Sequence, residues 1–474
     1  MEIKGFKNTN IYFENQGIVK SGFAVKDKKI APLTGGEEGL LELDDKYLVI
    51  PGFIDKHIHG SNHSDAMYPT FEDILNIAKS IAQEGVTAFL PTTMTQSKEN
   101  VAAALANIRK YIEQNVEEGA AVLGVHLEGP FISKKYKGSQ HEQFILSGDI
   151  ESMKYFQEVS GNNIRQVTFA YEENGPEFTK YLVKEGIVAS IGHSDATAAD
   201  VFAAAKAGVT SATHTYNAMR GLHHREAGTL GGSMLADEIS CELIADLVHV
   251  SPEAIRILYK MKGKDKVVLV TDAIESKHLT DGVYHLGGQE VFVKGDEARL
   301  ASGVLAGSNL SMNKAVKNFM TVTGVSLTDA VDLATINPAR VLKIDDRKGS
   351  INFGKDADFA VIDKDLNVYL TVRGGKVICK EKRAARRVFL FLVQEVDDFS
   401  GDDVDRHLVF SPFGDDQIGV LHRRLHEPQM HRPDGVQVLA DHCFHGPSPF
   451  AHIATEAADE TDIVRGVDVE FDVK

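Results

Sequence analysis

From Tyr47 to Asp272 the chain alternates apolar, β-branched runs with segments whose apolar residues recur at helical spacing, and this alternation restricts the fold more than any other feature. Eight runs occur: YLVIPGFID from Tyr47, VTAFLP from Val86, AVLGVHL from Ala121, VTFAY from Val167, IVASIGH from Ile187, VTSATH from Val209, ELIADLVHV from Glu242 and KVVLVTDA from Lys266. Between them lie stretches such as FEDILNIAKSIAQEG and DVFAAAKAG, amphipathic and stopped by glycine. Strands this uniformly apolar need cover on both faces, which crossover helices supply. Eight parallel strands with such helices predict a (β/α)8 barrel.

The flanks read differently. Residues 1–50 carry short alternating runs, such as NIYFENQGIVKSGFAV, broken by glycine and charged turns, which predicts a small antiparallel sheet. After Asp272 the sequence predicts a hairpin-like insert, two helices to about Val341, and a second strand-rich run, GSINFGKDADFAVIDKDLNVYLTVRGGKVI. We expect an α/β protein in which 51–344 form the barrel while 1–50 and 345–382 combine into a small β-sandwich domain. Usage changes near Lys382: residues 1–382 hold 33 Lys and 9 Arg, but 383–474 hold 1 Lys, 8 Arg, 7 His, 18 acidic residues and no Asn. With no clear periodicity and scattered aspartates, 383–474 read as an atypical, poorly ordered tail. Its Asp441, His442, Cys443 and His445 read as an accidental cluster, because a closed metal site needs ligands from two segments.

Charge narrows the partners. The 474 residues carry 51 Lys and Arg against 68 Asp and Glu, a formal net charge of −17, which repels phosphate backbones and anionic lipid. Neither nucleic acid nor a membrane is expected as a partner. No apolar stretch approaches the roughly 18 residues of a span, and MEIKGFKNTN opens without a signal-peptide core. Three widely spaced cysteines, Cys241, Cys379 and Cys443, fit a reducing compartment, so we expect a cytoplasmic protein.

Polar residues cluster where the apolar runs end. His57 and His59, two apart on a strand, project to one face. The ends of other runs supply His126-Leu127-Glu128, Gly192-His193, Thr213-His214, Val248-His249 and Thr271-Asp272. The C-terminal end of the strands is where barrel enzymes build their sites. Chance placement at one end of six strands would leave buried polar groups without partners. Imidazole nitrogen and carboxylate oxygen instead suit a divalent metal such as Zn, Fe, Mn or Co. Glu128 ranks ahead of His126 as a ligand because Glu-Gly-Pro ends that strand; His126 would then be a hydrogen-bond partner behind the ligands.

PGFIDKHIHG, HLEGPF, IGHSDA, THTYNAM, LVTDAI and LAGSNLSM, in this order and spacing, resemble the N-acetylglucosamine-6-phosphate deacetylases of the amidohydrolase superfamily; NPARVLKIDDRKGSINFGKDADFAVID resembles the superfamily's return into its small β domain. The resemblance runs from about residue 2 to 380. It implies hydrolysis of the acetamido group of a phosphorylated amino sugar, giving D-glucosamine 6-phosphate and acetate, in amino-sugar catabolism. Carried over by position, Glu128, His193 and His214 match the shared metal ligands and Asp272 the catalytic acid/base, with Asp272 also counted among the metal ligands. Retention of His57 and His59 allows a second ion, so one or two are expected. The resemblance puts Ser139 and Gln140 at the sugar, where some relatives have His in place of Gln140. It puts Asn217, Ala218, Arg225 and His249 at the phosphate, and Leu305, Ala306 and Gly307 over the sugar. It also implies a homodimer in which a partner-subunit residue reaches the phosphate.

Two alternatives compete. A different metal-dependent amidohydrolase, acting on a cyclic amide or an N-acyl amino acid, often bridges its ions with a carboxylated lysine where this chain offers Glu128. A non-catalytic barrel scaffold would have lost ligands or the acid/base, and all are present. Everything the chemistry uses lies before the tail, so a chain ending near Glu381 is expected to fold, bind metal and release acetate at a rate similar to the full sequence, while the tail is readily cut by protease. Limited proteolysis, thermal melting and activity of both lengths check this; a tail that resists protease as a compact unit would mean a genuine domain.

Overall fold

A computed structural model of the chain describes residues 1–380; the tail expected at 383–474, with its Asp441–His445 cluster, lies outside the described residues. Eight parallel strand segments follow the eight apolar runs: Phe53–Ile58, Val86–Pro91, a third broken into Ala121–Val122 and Val125–Glu128, then Ile164–Phe169, Val188–Ile191, Ser211–Ala212, Ser240–Ile244 and Val267–Val270. The strands from Val125 to Val270 form one six-stranded parallel sheet in chain order, and the first two strands pair with Ala121–Val122 in another. Both lateral edges of the two sheets are bonded. Thr93 N–H donates to the His126 carbonyl at 3.0 Å, and Asp272 N–H to the His57 carbonyl at 2.8 Å. The result is a barrel-type α/β architecture with a small β unit attached.

Local chemistry explains the helices that alternate with these strands. Thr197 and Asp200 make a capping box at Ala198–Ala207, which Gly208 ends in a left-handed turn. Ser251 caps Pro252–Lys262, with proline in the first turn, where its missing N–H is harmless. Among the described residues no helix is long and apolar enough to cross a membrane.

The run YLVIPGFID is shared between two sheets rather than being one barrel strand. Leu48–Pro51 joins the flanking sheet and Phe53–Ile58 the barrel-type one. Gly52 sits at the switch, where a Cβ would come within 2.2 Å of the Thr87 side chain. The flanking sheet has seven strands and combines both ends of the described chain: Gly5–Phe13, Gly17–Lys26, Lys29–Ala31 and Leu48–Pro51 with Phe359–Ile362, Val368–Arg373 and Lys376–Lys380. It curls on itself instead of splitting into two sheets. Glu2 bridges to Lys376 and Lys29 to Asp356, around Phe6, Phe23 and Phe359, whose ring centroids lie 5.4–5.5 Å apart.

After Asp272 the insert is a three-stranded antiparallel sheet, Gly282–Leu286, Gln289–Lys294 and Glu297–Leu300. Three helices follow where two were expected: Met312–Thr323, Leu327–Asp332 and Ile336–Val341. The last two are only six residues each, too short to show a helical repeat in sequence.

Candidate active site

At the C-terminal end of the parallel strands, four imidazoles and two carboxylates converge. Glu128 Oε1 lies 3.2 Å from His193 Nε2, 3.1 Å from His214 Nε2 and 3.6 Å from His57 Nε2. Its Oε2 lies 3.2 Å from His59 Nε2, and Asp272 Oδ1 lies 3.4 Å from His57 Nε2 and 3.1 Å from His59 Nε2. The six residues are all buried. Where a strand gives way to its loop, the backbone at His193, His214 and Asp272 turns left-handed, with φ of 49°, 29° and 49°, so that each side chain faces the common centre.

Partners behind the rings set which nitrogen faces inward. His59 Nδ1 lies 3.1 Å from the Thr92 carbonyl, His193 Nδ1 3.0 Å from the Tyr136 carbonyl, and His57 Nδ1 3.0 Å from Glu242 Oε2. Carbonyls and carboxylates only accept, so these Nδ1 atoms carry protons and leave Nε2 facing Glu128 and Asp272. Without a proton or a cation on Nε2, acceptors would face acceptors. His57 Nε2 and His214 Nδ1 are buried without a hydrogen-bond partner.

Burial opposes charge on His59 and His214, yet the facing carboxylates outweigh it, lifting His59 well above its ordinary value and His214 to about 9. Burial likewise opposes ionisation of Glu128 and Asp272, and the surrounding imidazoles hold both below the usual carboxylate range, Glu128 well below. The arrangement demands positive charge at its centre. Two triads, His57, His59, Glu128 and Glu128, His193, His214, have ligand atoms within 4.8 Å of one another, and their nitrogen and oxygen donors suit a divalent metal.

The centre opens into a cavity of about 280 Å³ lined by His59, Glu128, His193, His214 and Asp272 together with Ser139, Gln140, Asn217, Ala218, His249, Leu305 and Gly307. Gln140 accepts the Thr95 N–H at 2.7 Å and donates to Glu128 Oε2 at 2.9 Å, so its amide is oriented by the Glu128 carboxylate. His249 lies in the loop after the seventh strand, five residues beyond its end at Ile244, and not directly at the strand end. Asp246, 2.6 Å from Nδ1, turns the other ring nitrogen free. Ala306 is fully buried beside the cavity. Gly307 has φ of 62°, with no room for a Cβ, which would lie 2.4 Å from Ile274 and 2.9 Å from the Asp272 carbonyl.

Arg225 is the exception. It is exposed, its guanidinium 2.7 Å from His224, and it does not line this cavity. Among the described residues the only Lys or Arg that does is Arg299, from the antiparallel insert, which sequence reasoning missed along with Met94, Gly138, Leu286 and Val304. His126 turns away beneath the centre, 2.7 Å from Thr168 Oγ1; burial first, then His57, drive it well below its ordinary value and keep it neutral. Glu242 and Lys56 were also missed, although a charged residue inside an apolar strand signals that a buried partner must exist.

Metal-ligand donors at the C-terminal mouth of parallel strands define a barrel-type metallohydrolase. The chain belongs to the amidohydrolase family, which it matches over residues 48–378. Within that family it is similar to the N-acetylglucosamine-6-phosphate deacetylase of Bacillus subtilis (strain 168), at 39% identity over 387 residues, 80% of this chain and 98% of that one. It is also similar to the N-acetylgalactosamine-6-phosphate deacetylase of Escherichia coli O157:H7, at 37% over 325 residues, 68% of this chain and 86% of the other. Among solved structures, an N-acetylglucosamine-6-phosphate deacetylase from Thermotoga maritima superposes with a TM-score of 0.73 at 36% identity, covering 80% of this chain and all of that one.

Proposed function

We propose that this protein hydrolyses N-acetyl-D-glucosamine 6-phosphate to D-glucosamine 6-phosphate and acetate, acting in the cytoplasm in amino-sugar catabolism. The observation that carries this reading is the convergence of His57, His59, Glu128, His193, His214 and Asp272 on a cavity large enough for one phosphorylated sugar. The eight strands are read as one closed (β/α)8 barrel, with 1–50 and 345–382 as its small β domain.

Glu128, His193 and His214 would hold one divalent ion, Zn, Fe, Mn or Co, and His57, His59 and Glu128 a second. When bound, such an ion supplies Lewis acidity toward the amide oxygen and the attacking water. Asp272 is ionised and so is ready to take a proton from that water. Because an amine leaves poorly unless protonated, Asp272 then passes the proton to the amide nitrogen as the C–N bond breaks. Ser139 and Gln140 contact the sugar, and Leu305, Ala306 and Gly307 close over it. Asn217, Ala218 and His249 receive the phosphate, with Asp246 aiming the His249 ring. Arg225, outside its own chain's cavity, serves the site of a partner copy in a homodimer.

Acetate release from N-acetylglucosamine 6-phosphate, its unphosphorylated form and N-acetylgalactosamine 6-phosphate tests the reading; no release from the first would overturn it. Stripping divalent metal with a chelator is expected to abolish release and lower Tm by several degrees, since a ligand that binds only the folded state stabilises it. An unchanged rate after dialysis would count against the metal. Arg225→Ala is expected to raise KM for the phosphorylated substrate about tenfold or more, as a charge-assisted pair is lost, and to leave the unphosphorylated analogue nearly unaffected. Equal losses on both would place its role elsewhere.

A further inference from the structure

Glu242 is a charge that the chemistry above does not use. It stands at the middle of the seventh strand, Ser240–Ile244, fully buried, where a parallel strand otherwise carries apolar residues. One oxygen, Oε1, pairs with Lys56 Nζ and accepts from Gln166 Nε2 at 2.8 Å. The other, Oε2, lies 3.0 Å from His57 Nδ1 and accepts the backbone N–H of His214 at 3.2 Å. Lys56, also fully buried, donates to Gln166 Oε1 at 2.8 Å and Ser211 Oγ at 3.3 Å. Neither Glu242 nor Lys56 lines the cavity.

A buried ion pair of this kind contributes little over apolar residues of similar volume, so stability alone does not account for it. Its surroundings supply another reason. Two of the other inward-facing rings rest their Nδ1 on a backbone carbonyl, and His214 Nδ1 has no partner. Among these four rings only His57 rests on a full negative charge, the arrangement that most strongly fixes a ligand's tautomer and raises its basicity.

We propose that Glu242, charge-balanced by Lys56, is a positioning residue of the metal centre: it keeps the His57 proton on Nδ1, so that Nε2 presents its lone pair toward Glu128 and Asp272. By also accepting the His214 N–H, the same carboxylate ties the ligand-bearing end of the sixth strand to that of the first. This inference rests on the metal reading of the site and not on the identity of the substrate.

Cobalt(II) titration of the metal-stripped protein, followed by calorimetry and visible absorption, tests it without substrate. Lys56→Met/Glu242→Leu removes the acceptor together with its counter-charge and is expected to weaken cobalt binding ten- to a hundredfold, roughly the range for loss of such a partner. Lys56→Met/Glu242→Gln keeps an acceptor at Nδ1 and is expected to lose only about threefold; it also serves if the leucine variant folds poorly, as circular dichroism and melting would reveal. In a His57→Ala background most of the leucine variant's effect should vanish, because the pair acts through that ring. Losses of the same size in both backgrounds, or none in either, would overturn the proposal. A parent protein that binds no cobalt would overturn the metal reading beneath it.

Discussion

Asp272→Asn is expected to retain its metal and lose turnover by about 10²–10⁴-fold, the usual contribution of a positioned general acid/base. The amide is close in size to the carboxylate, and His57, His59, Glu128, His193 and His214 remain to hold the ion. What disappears is the group that takes a proton from water and returns it to the departing amine. Asp272 Oδ1 faces two imidazoles at 3.1–3.4 Å, so the substitution leaves packing nearly unchanged and the loss should fall on kcat rather than on folding. Metal analysis beside steady-state kinetics decides the matter. A variant within tenfold of the parent rate would show the acid/base assignment to be wrong.

The largest effect on stability is expected from Lys56→Met made alone. It leaves Glu242 as a buried carboxylate without its counter-ion, a change that costs about 3–5 kcal/mol. In the parent, burial disfavours the charged form of Glu242, but Lys56 and His57 hold its carboxyl well below the usual range, so its contribution is present above the unfolded-chain value and lost as pH falls through the folded one. In the variant the imbalance is reversed. Burial raises the Glu242 pKa above the unfolded value of about 4.3, and the penalty grows with pH above that value. The deficit should therefore shrink on acidification. Denaturant unfolding at several pH values, with Lys56→Met/Glu242→Leu recovering most of the loss, checks both sign and size; a deficit that widened in acid would refute the argument.

The parts of the molecule legible in sequence are those written in a strong local pattern. Eight apolar runs announce the strands, and a His, Glu or Asp just past the end of such a run marks the mouth they share. The run YLVIPGFID hides its division at Gly52, because both halves are buried and equally apolar. Glu242 escaped notice because it is one charged letter inside an apolar word, and Lys56 because it is hidden in the polar run Asp55-Lys56-His57, its partner 186 residues away. Arg299 reaches the cavity from an inserted sheet whose placement no periodicity encodes, and Arg225, chosen by its flanks, lies outside its own chain's pocket. Local pattern reads elements and their ends. Contacts between distant segments have to be seen in the fold.

The left-handed backbone at His193, His214 and Asp272 bears on how this protein would respond to selection. Such a conformation costs an L-residue about 1–2 kcal/mol, though less for Asp and His than for bulkier side chains. Glycine would relieve that strain, less about 0.4–1 kcal/mol for its greater freedom when unfolded. A library of the metal-stripped protein selected for heat resistance alone would then drift toward glycine at positions 193, 214 and 272, and each step would discard one of the groups that make the centre work. Thermal endurance and turnover pull these three positions in opposite directions, so improvements in robustness have to be found in the outer helices and the flanking sheet.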